Sequence, residues 1–317
     1  MAQQAWAPEF VRRGLARMPA LRSVVQWLEA AVLAVAWWAL GRLSPERASA
    51  LGAGLFRRIG PHLRKQRHVL ANLAVAFPEL PPERRAALAR EVWGQFGAVF
   101  GEFPHLERFD REAASRIEVE FRGPLAPLAD PPRPGIFVTA HIGNWELTTL
   151  VARQYGVPLA VIYAPDSNPF VDRLIRRYRR ALGCELIPKR GGLRALLRAL
   201  GEGRSIGFLI DTRQDDGEPV PFFGEPALTS TVPARLALRA GLSLVPVRAE
   251  RLAPARFRIT FGPALEPDPT VQGERERARD LTRRVNERFE EWIRERPEQW
   301  LCTKRRWPKR PASASAA

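Results

Sequence analysis

The stretch from Gly135 to Tyr163 restricts the possible folds of this chain more than any other. Gly135-Ile136-Phe137-Val138 is an apolar run behind a Pro-rich approach, Asp130 to Pro134, and reads as a buried strand. A tight turn containing Gly143-Asn144 follows, then a helical pattern from Trp145 to Tyr155 that stops at Gly156. Leu159-Ala160-Val161-Ile162-Tyr163 is a second apolar strand. Strands joined through a helix pair in parallel, with the helix packed back on the sheet. The fold class is therefore α/β, a central mostly parallel or mixed sheet flanked by helices.

The turn inside this unit carries chemistry. His141 and Glu146 are five residues apart, which on one continuous helix would point them ~140° apart. A strand-to-helix turn can instead fold the imidazole back toward a carboxylate in the first helical turn. Histidine titrates near neutrality and can take a proton from a hydroxyl, and a carboxylate on its other nitrogen fixes the tautomer. The helix start adds N–H groups suited to an oxyanion. The same residues also fit a satisfied structural histidine and a glutamate placed only for the helix dipole, and spacing leaves both readings open.

Along the rest of the chain, Arg12, Arg13, Arg17 and Arg22 precede an apolar segment from Val24 to Leu40 with Trp27, Trp37 and Trp38, interrupted by Gln26 and Glu29. It is short for a spanning helix, and its tryptophans and basic flank suit a helix in the membrane interface. Residues 1–60 are read as a membrane-associated helical segment, 61–310 as the catalytic domain and 311–317 as a disordered tail. Helices are expected from Pro45 to Ile59, from Pro82 to Phe103, from Phe170 to Leu182 and from Glu274 to Arg296. Ile206 to Asp211 reads as a buried strand ending in an acid, and Asp211 lies where parallel sheets place ligands. Leu244 to Val247 and Phe257 to Phe261 are late strands.

Lys and Arg total 50 against 34 acidic residues, a net charge of +16 that favours an anionic partner. The two cysteines, Cys184 and Cys302, support neither a disulfide framework nor zinc spacing. Gly203-Arg204-Ser205-Ile206-Gly207 spells a hydrolase elbow, but its helix–Ser–strand order is the reverse of what that elbow needs. The basic helix around Arg173 to Arg180 can hold a phosphate-bearing group; it lacks the aromatic interleaving of a single-strand nucleic-acid platform.

Taken together in order, His141-Ile142-Gly143-Asn144-Trp145-Glu146, Asn72 to Pro78, Asn168-Pro169 with Asp172 and Arg179, Asp211, Val220 to Gly224 with Thr229, and Pro297 to Trp300 with Arg305-Arg306 resemble the lipid A late acyltransferases. These are the bacterial lauroyl/myristoyl transferases, a branch of the lysophospholipid acyltransferase superfamily, and the similarity runs along nearly the whole chain. Ile142, Thr212 and Trp300-Leu301-Cys302 depart from the usual pattern.

The resemblance implies a single lysophospholipid-acyltransferase-like domain with an N-terminal membrane-associated helix, at the cytoplasmic face of a bacterial inner membrane. It implies transfer of a fatty acyl group from acyl carrier protein to a hydroxyl of a lipid A precursor, with no cofactor, no metal and no nucleic acid. His141 would be the general base and Glu146 its orienting partner. Asn144, Arg179, Asp211, Thr229 and Arg306 would bind substrate, and the basic surface would meet the carrier protein and an anionic membrane. Another membrane lipid as acceptor, or a non-catalytic binder, are the competing expectations.

Overall fold

The computed structural model describes residues 18–189 and 192–308. Arg12, Arg13, Arg17 and the 311–317 tail therefore lie outside the described residues. Four helices come first: α1 (Pro19–Leu40), α2 (Pro45–Ile59), α3 (Gln66–Ala76) and α4 (Pro82–Glu102). Ser44 caps α2 by accepting the Arg47 N–H, and Pro45 occupies its first turn. α2 and α4 meet almost backbone to backbone. A Cβ on Gly52 would lie 2.1 Å from the Gly97 carbonyl oxygen, and one on Gly101 2.1 Å from that of Ala48. This approach sets Glu102, at the end of α4, against α2.

α1 is bound to the body along its length. Gln26, Ala30, Trp37 and Leu40 are buried. Asn168 donates to the Gln26 carbonyl and to Glu29 Oε2, each at 2.8 Å, and Trp37 donates to the Phe100 carbonyl at 3.1 Å. Glu29, an awkward residue in an apolar helix, is thus accounted for. Leu21, Val24, Trp27, Leu28, Val32, Val35 and Trp38 remain exposed, an unpaired apolar face at helical spacing.

Short helices α5 (Leu106–Arg111) and α6 (Ala113–Arg116) lead to β1 (Ile117–Phe121). The alternating α/β part follows: β2 (Ile136–Thr139), α7 (Glu146–Gln154), β3 (Leu159–Tyr163), α8 (Pro169–Arg179), β4 (Glu185–Pro188), α9 (Leu193–Gly201) and β5 (Ser205–Leu209). A hairpin, β6 (Glu218–Phe222) and β7 (Glu225–Thr229), precedes α10 (Val232–Ala240), β8 (Leu244–Ala253), β9 (Arg256–Phe261) and α11 (Glu274–Glu295). Among the described residues seven strands form one sheet in the order β1-β9-β8-β2-β5-β3-β4, antiparallel only between β8 and β9. The sheet is mixed, as expected.

Alternation along β2 divides the core. Ile136 and Val138 pack on one face with Leu281, Phe289 and Trp300; Phe137 packs on the other with Leu147, Leu150 and Phe257. Two boundaries differ from the sequence reading. α8 stops at Arg179 and tightens into a 3₁₀ turn, Arg180–Leu182, before Gly183 at φ 66°. β5 ends at Leu209, so Asp211 stands just beyond the strand.

Candidate active site

β2 and β5 are parallel neighbours, with Thr139 opposite Leu209. Both chains leave the sheet at the same edge, and two residues further along each is a titratable side chain. His141 Nδ1 lies 2.6 Å from Asp211 Oδ1. The Asp211 side chain is 2% exposed and that of His141 24%. The carboxylate sits on the buried side, which selects an Nδ1–H tautomer and leaves the Nε2 lone pair to accept a proton. Burial by itself raises the Asp211 carboxyl, but the adjoining His141 and the Trp300 N–H outweigh it and hold the group below its ordinary value. Trp145 packs edge-on to the imidazole at 4.8 Å between ring centres.

The turn carrying His141 is locked from several sides. Gly143 has φ 56°, and a Cβ there would lie 2.3 Å from the Ala249 carbonyl oxygen, so glycine is required. Its N–H donates to the Gln299 carbonyl at 3.1 Å, and the Leu301 N–H donates to the His141 carbonyl at 2.8 Å. The Ile142 N–H donates to the Ala140 carbonyl at 2.7 Å. The N–H groups of Ile142 and Gly143 are thus already spent and offer nothing to an oxyanion.

The expected contact between His141 and Glu146 is corrected by this geometry. Glu146 begins α7 and turns toward α8, where Arg179 Nε donates to its two oxygens at 3.1 and 3.0 Å and the Arg179 NH2 group adds a further bond. The imidazole is taken instead by an acid from the adjacent strand. Arg179, expected to hold a substrate anion, is engaged by Glu146 through the same contact. Desolvation alone would lower the Arg179 guanidinium, yet the Glu146 charge raises it above its ordinary value.

Asn144 is buried and donates to Glu102 Oε2 at 3.0 Å. Glu102 also accepts from Ser49 Oγ at 2.7 Å and from both terminal nitrogens of Arg251, one of them at 2.9 Å. Thr229 and Arg306, expected at a substrate surface, are 0% and 1% exposed. Arg306 donates to Thr229 Oγ1 at 2.6 Å and to the Leu228 carbonyl at 2.8 Å, so both residues belong to the wall. Burial pulls the Arg306 guanidinium down to about 10, opposed by the charge of Asp211. Burial pushes the Cys184 thiol up to about 12 and raises Cys302 as well, which leaves neither sulfur as a nucleophile.

His141, Asp211 and Asn144 are thus brought to one edge, while Glu146 and Arg179 form a separate pair beside it. Glu102 and Arg251 were not found by sequence reading, while Asn72 and Gln299 stood only as members of the Asn72 to Pro78 and Pro297 to Trp300 motifs, with no role of their own. Nothing local announces the distant partner of any of the four.

A family model of the bacterial lipid A biosynthesis acyltransferases matches residues 15–309. Among curated relatives, the phosphatidylinositol mannoside acyltransferase of Mycolicibacterium smegmatis is 27% identical over 229 residues, 67% of this chain and 72% of that protein. The lipid A biosynthesis palmitoleoyltransferase of Escherichia coli is 26% identical over 278 residues, 84% of this chain and 86% of that protein. The crystal structure of a 1-acyl-sn-glycerophosphate acyltransferase from Thermotoga maritima aligns over 73% of this chain and 97% of its own, at 17% identity and a TM-score of 0.36.

Proposed function

This chain belongs to the bacterial lipid A biosynthesis acyltransferase family, and from that premise we propose that it esterifies a hydroxyl of a lipid A precursor with an acyl group from an acyl carrier protein thioester. His141 is the general base. Its Nε2 takes the proton of the acceptor hydroxyl as that oxygen bonds to the thioester carbonyl carbon. The tetrahedral centre then expels the sulfur, which takes the proton back from the imidazolium and leaves as a thiol. Asp211 keeps Nδ1–H in place and stabilises the imidazolium while it exists. No enzyme-bound acyl intermediate is needed.

The observation that carries this reading is the 2.6 Å bond between a partly exposed His141 and a buried Asp211, just beyond the carboxyl ends of two parallel neighbouring strands. The test is an assay of purified protein with radiolabelled lipid A precursor and a panel of acyl carrier protein thioesters. Ester formation that disappears in His141→Ala is expected; transfer by that variant at the parent rate removes His141 from the mechanism. A second acceptor class has its own support in the similarity to phosphatidylinositol mannoside acyltransferases. Comparing the lipids of cells with and without the gene separates a lipid A acceptor from a glycosylated phospholipid.

We also propose that α1 lies in the cytoplasmic leaflet of the inner membrane rather than crossing it. Its inner face is held to the body through Gln26, Glu29 and Trp37, which leaves only the outer apolar face for lipid. The triple variant Leu28→Glu, Val32→Glu, Val35→Glu is expected to leave anionic vesicles in a flotation assay. Full retention would put the membrane contact elsewhere.

A further inference from the structure

The C-terminal segment from Gln299 to Arg306 crosses the edge of the sheet where His141 and Asp211 meet. Trp300 pairs with Ile142 as an isolated antiparallel bridge, and Leu301 binds the His141 carbonyl. Behind the segment, Asn72 donates to the Cys302 carbonyl at 2.9 Å and to the Lys304 carbonyl at 2.7 Å, and accepts from the Arg306 N–H at 2.9 Å. At the centre, Trp300 Nε1 donates to Asp211 Oδ2 at 3.1 Å. Asp211 thus has one oxygen on the imidazole and the other on the indole.

That division has a mechanical meaning. A carboxylate held by one oxygen can rotate about its Cβ–Cγ bond; one held by both cannot without breaking a bond. The indole is itself fixed. Trp300 is 1% exposed and lies against Phe222, Phe223 and Trp307, with ring centres 5.9, 6.3 and 6.3 Å away. Indole nitrogen is a donor only, so it donates to the carboxylate and does not compete with it as an acceptor for the imidazole Nδ1–H. A benzothiophene fills nearly the same space without the N–H; phenylalanine also lacks the N–H but fills less of it.

We infer that Trp300 is a positioning residue for acyl transfer, acting through Asp211: its indole N–H fixes the carboxylate in the orientation that holds His141 Nδ1. This inference rests on the reading of His141 and Asp211 as the base and its partner. It assigns to the C-terminal segment a function that its distance in sequence from the histidine turn conceals.

The experiment compares parent, Trp300→Phe, Asp211→Asn, the double variant and His141→Ala, with radiolabelled lipid A precursor and an acyl carrier protein thioester as substrates. Trp300→Phe is expected to lower kcat about 10- to 100-fold, the scale of one hydrogen bond to a charged group, with KM within about twofold. The double variant is expected to match Asp211→Asn alone, because the two residues act in series. A readout independent of turnover is the downfield proton resonance of His141 Nδ1–H, identified by its loss in His141→Ala; it is expected to move in Trp300→Phe.

If Trp300→Phe is not recovered folded, benzothienylalanine at position 300 supplies the same test, with sulfur in place of N–H at nearly constant shape. Parent-like kcat with an unmoved resonance overturns the proposal, as does a loss in the double variant equal to the product of the two single losses. Activity in His141→Ala would instead overturn the reading of the site, so the two failures are distinguishable.

Discussion

Two carboxylates flank the His141 turn in contrasting company. On the strand side, Asp211 meets an imidazole and an indole N–H. On the helix side, Glu146 meets the forked guanidinium of Arg179. A guanidinium keeps its charge at every working pH, so Glu146 and Arg179 form a settled ion pair. On the mechanism proposed above the imidazole is the group that takes up the proton, so there the Asp211 charge matters most while the acceptor is being deprotonated. What a carboxylate does here depends on its partner, and the partner is chosen by the fold rather than by spacing along the chain.

The largest effect should come from removing charge on the strand side. Asp211→Asn is expected to cost ~10²–10⁴-fold in turnover, the range for loss of a base or its correct tautomer. Glu146→Gln is expected to cost less in turnover and more in stability. Initial rates for the two variants, set beside their unfolding curves, break the comparison if Gln at 146 proves the more damaging to kcat.

Next in size is the helix-side pair. Arg179→Leu leaves the buried Glu146 carboxylate without its partner and is expected to destabilise the fold by ~3 kcal/mol, while the double change Glu146→Gln, Arg179→Leu recovers most of that. Urea denaturation of the three variants measures it. A double variant no more stable than Arg179→Leu would show that packing of the guanidinium, not its charge, is what matters.

Acid sharpens the contrast further. Asp211 is held below its ordinary pKa by His141 and Trp300 against the effect of burial. A carboxyl depressed in the folded state stabilises above its unfolded value, ~3.9, and loses that contribution as pH falls through the folded value. The stability gap between parent and Asp211→Asn should therefore be full near neutrality and narrow below about pH 4. Denaturation midpoints at a neutral and an acidic pH test this; a gap unchanged in acid contradicts it. The smallest effect serves as the control. Arg283→Ala removes a half-exposed partner of Asp280 on α11 and should change stability by no more than ~0.5 kcal/mol.

Local signals made most elements legible. β3 was bounded by its own apolar run, and Ser44-Pro45 marked the start of α2. Asp211 was recognised as an acid at a strand end, but not as the partner of His141. That pairing depends on β5 lying next to β2, and the strand order β2-β5-β3 is fixed by which faces the helices cover, a long-range matter. Glu146 misled because proximity in sequence is a poor guide once a turn sends the side chain to another helix. Proline in the β6–β7 hairpin hid those strands, since it weakens a strand pattern while being tolerated in a two-stranded ribbon.

The C-terminal segment also sets a schedule. Asn72 is synthesised 230 residues before Cys302, whose carbonyl it holds. At ~5–20 residues per second, roughly 12–46 s separate the two. During that interval α1 has already left the ribosome, while the histidine turn waits for Gln299 and Leu301. A ribosome stalled just short of Trp300 would leave a chain with α1 complete and the histidine turn unfinished. Activity in this design is the last property the growing chain acquires.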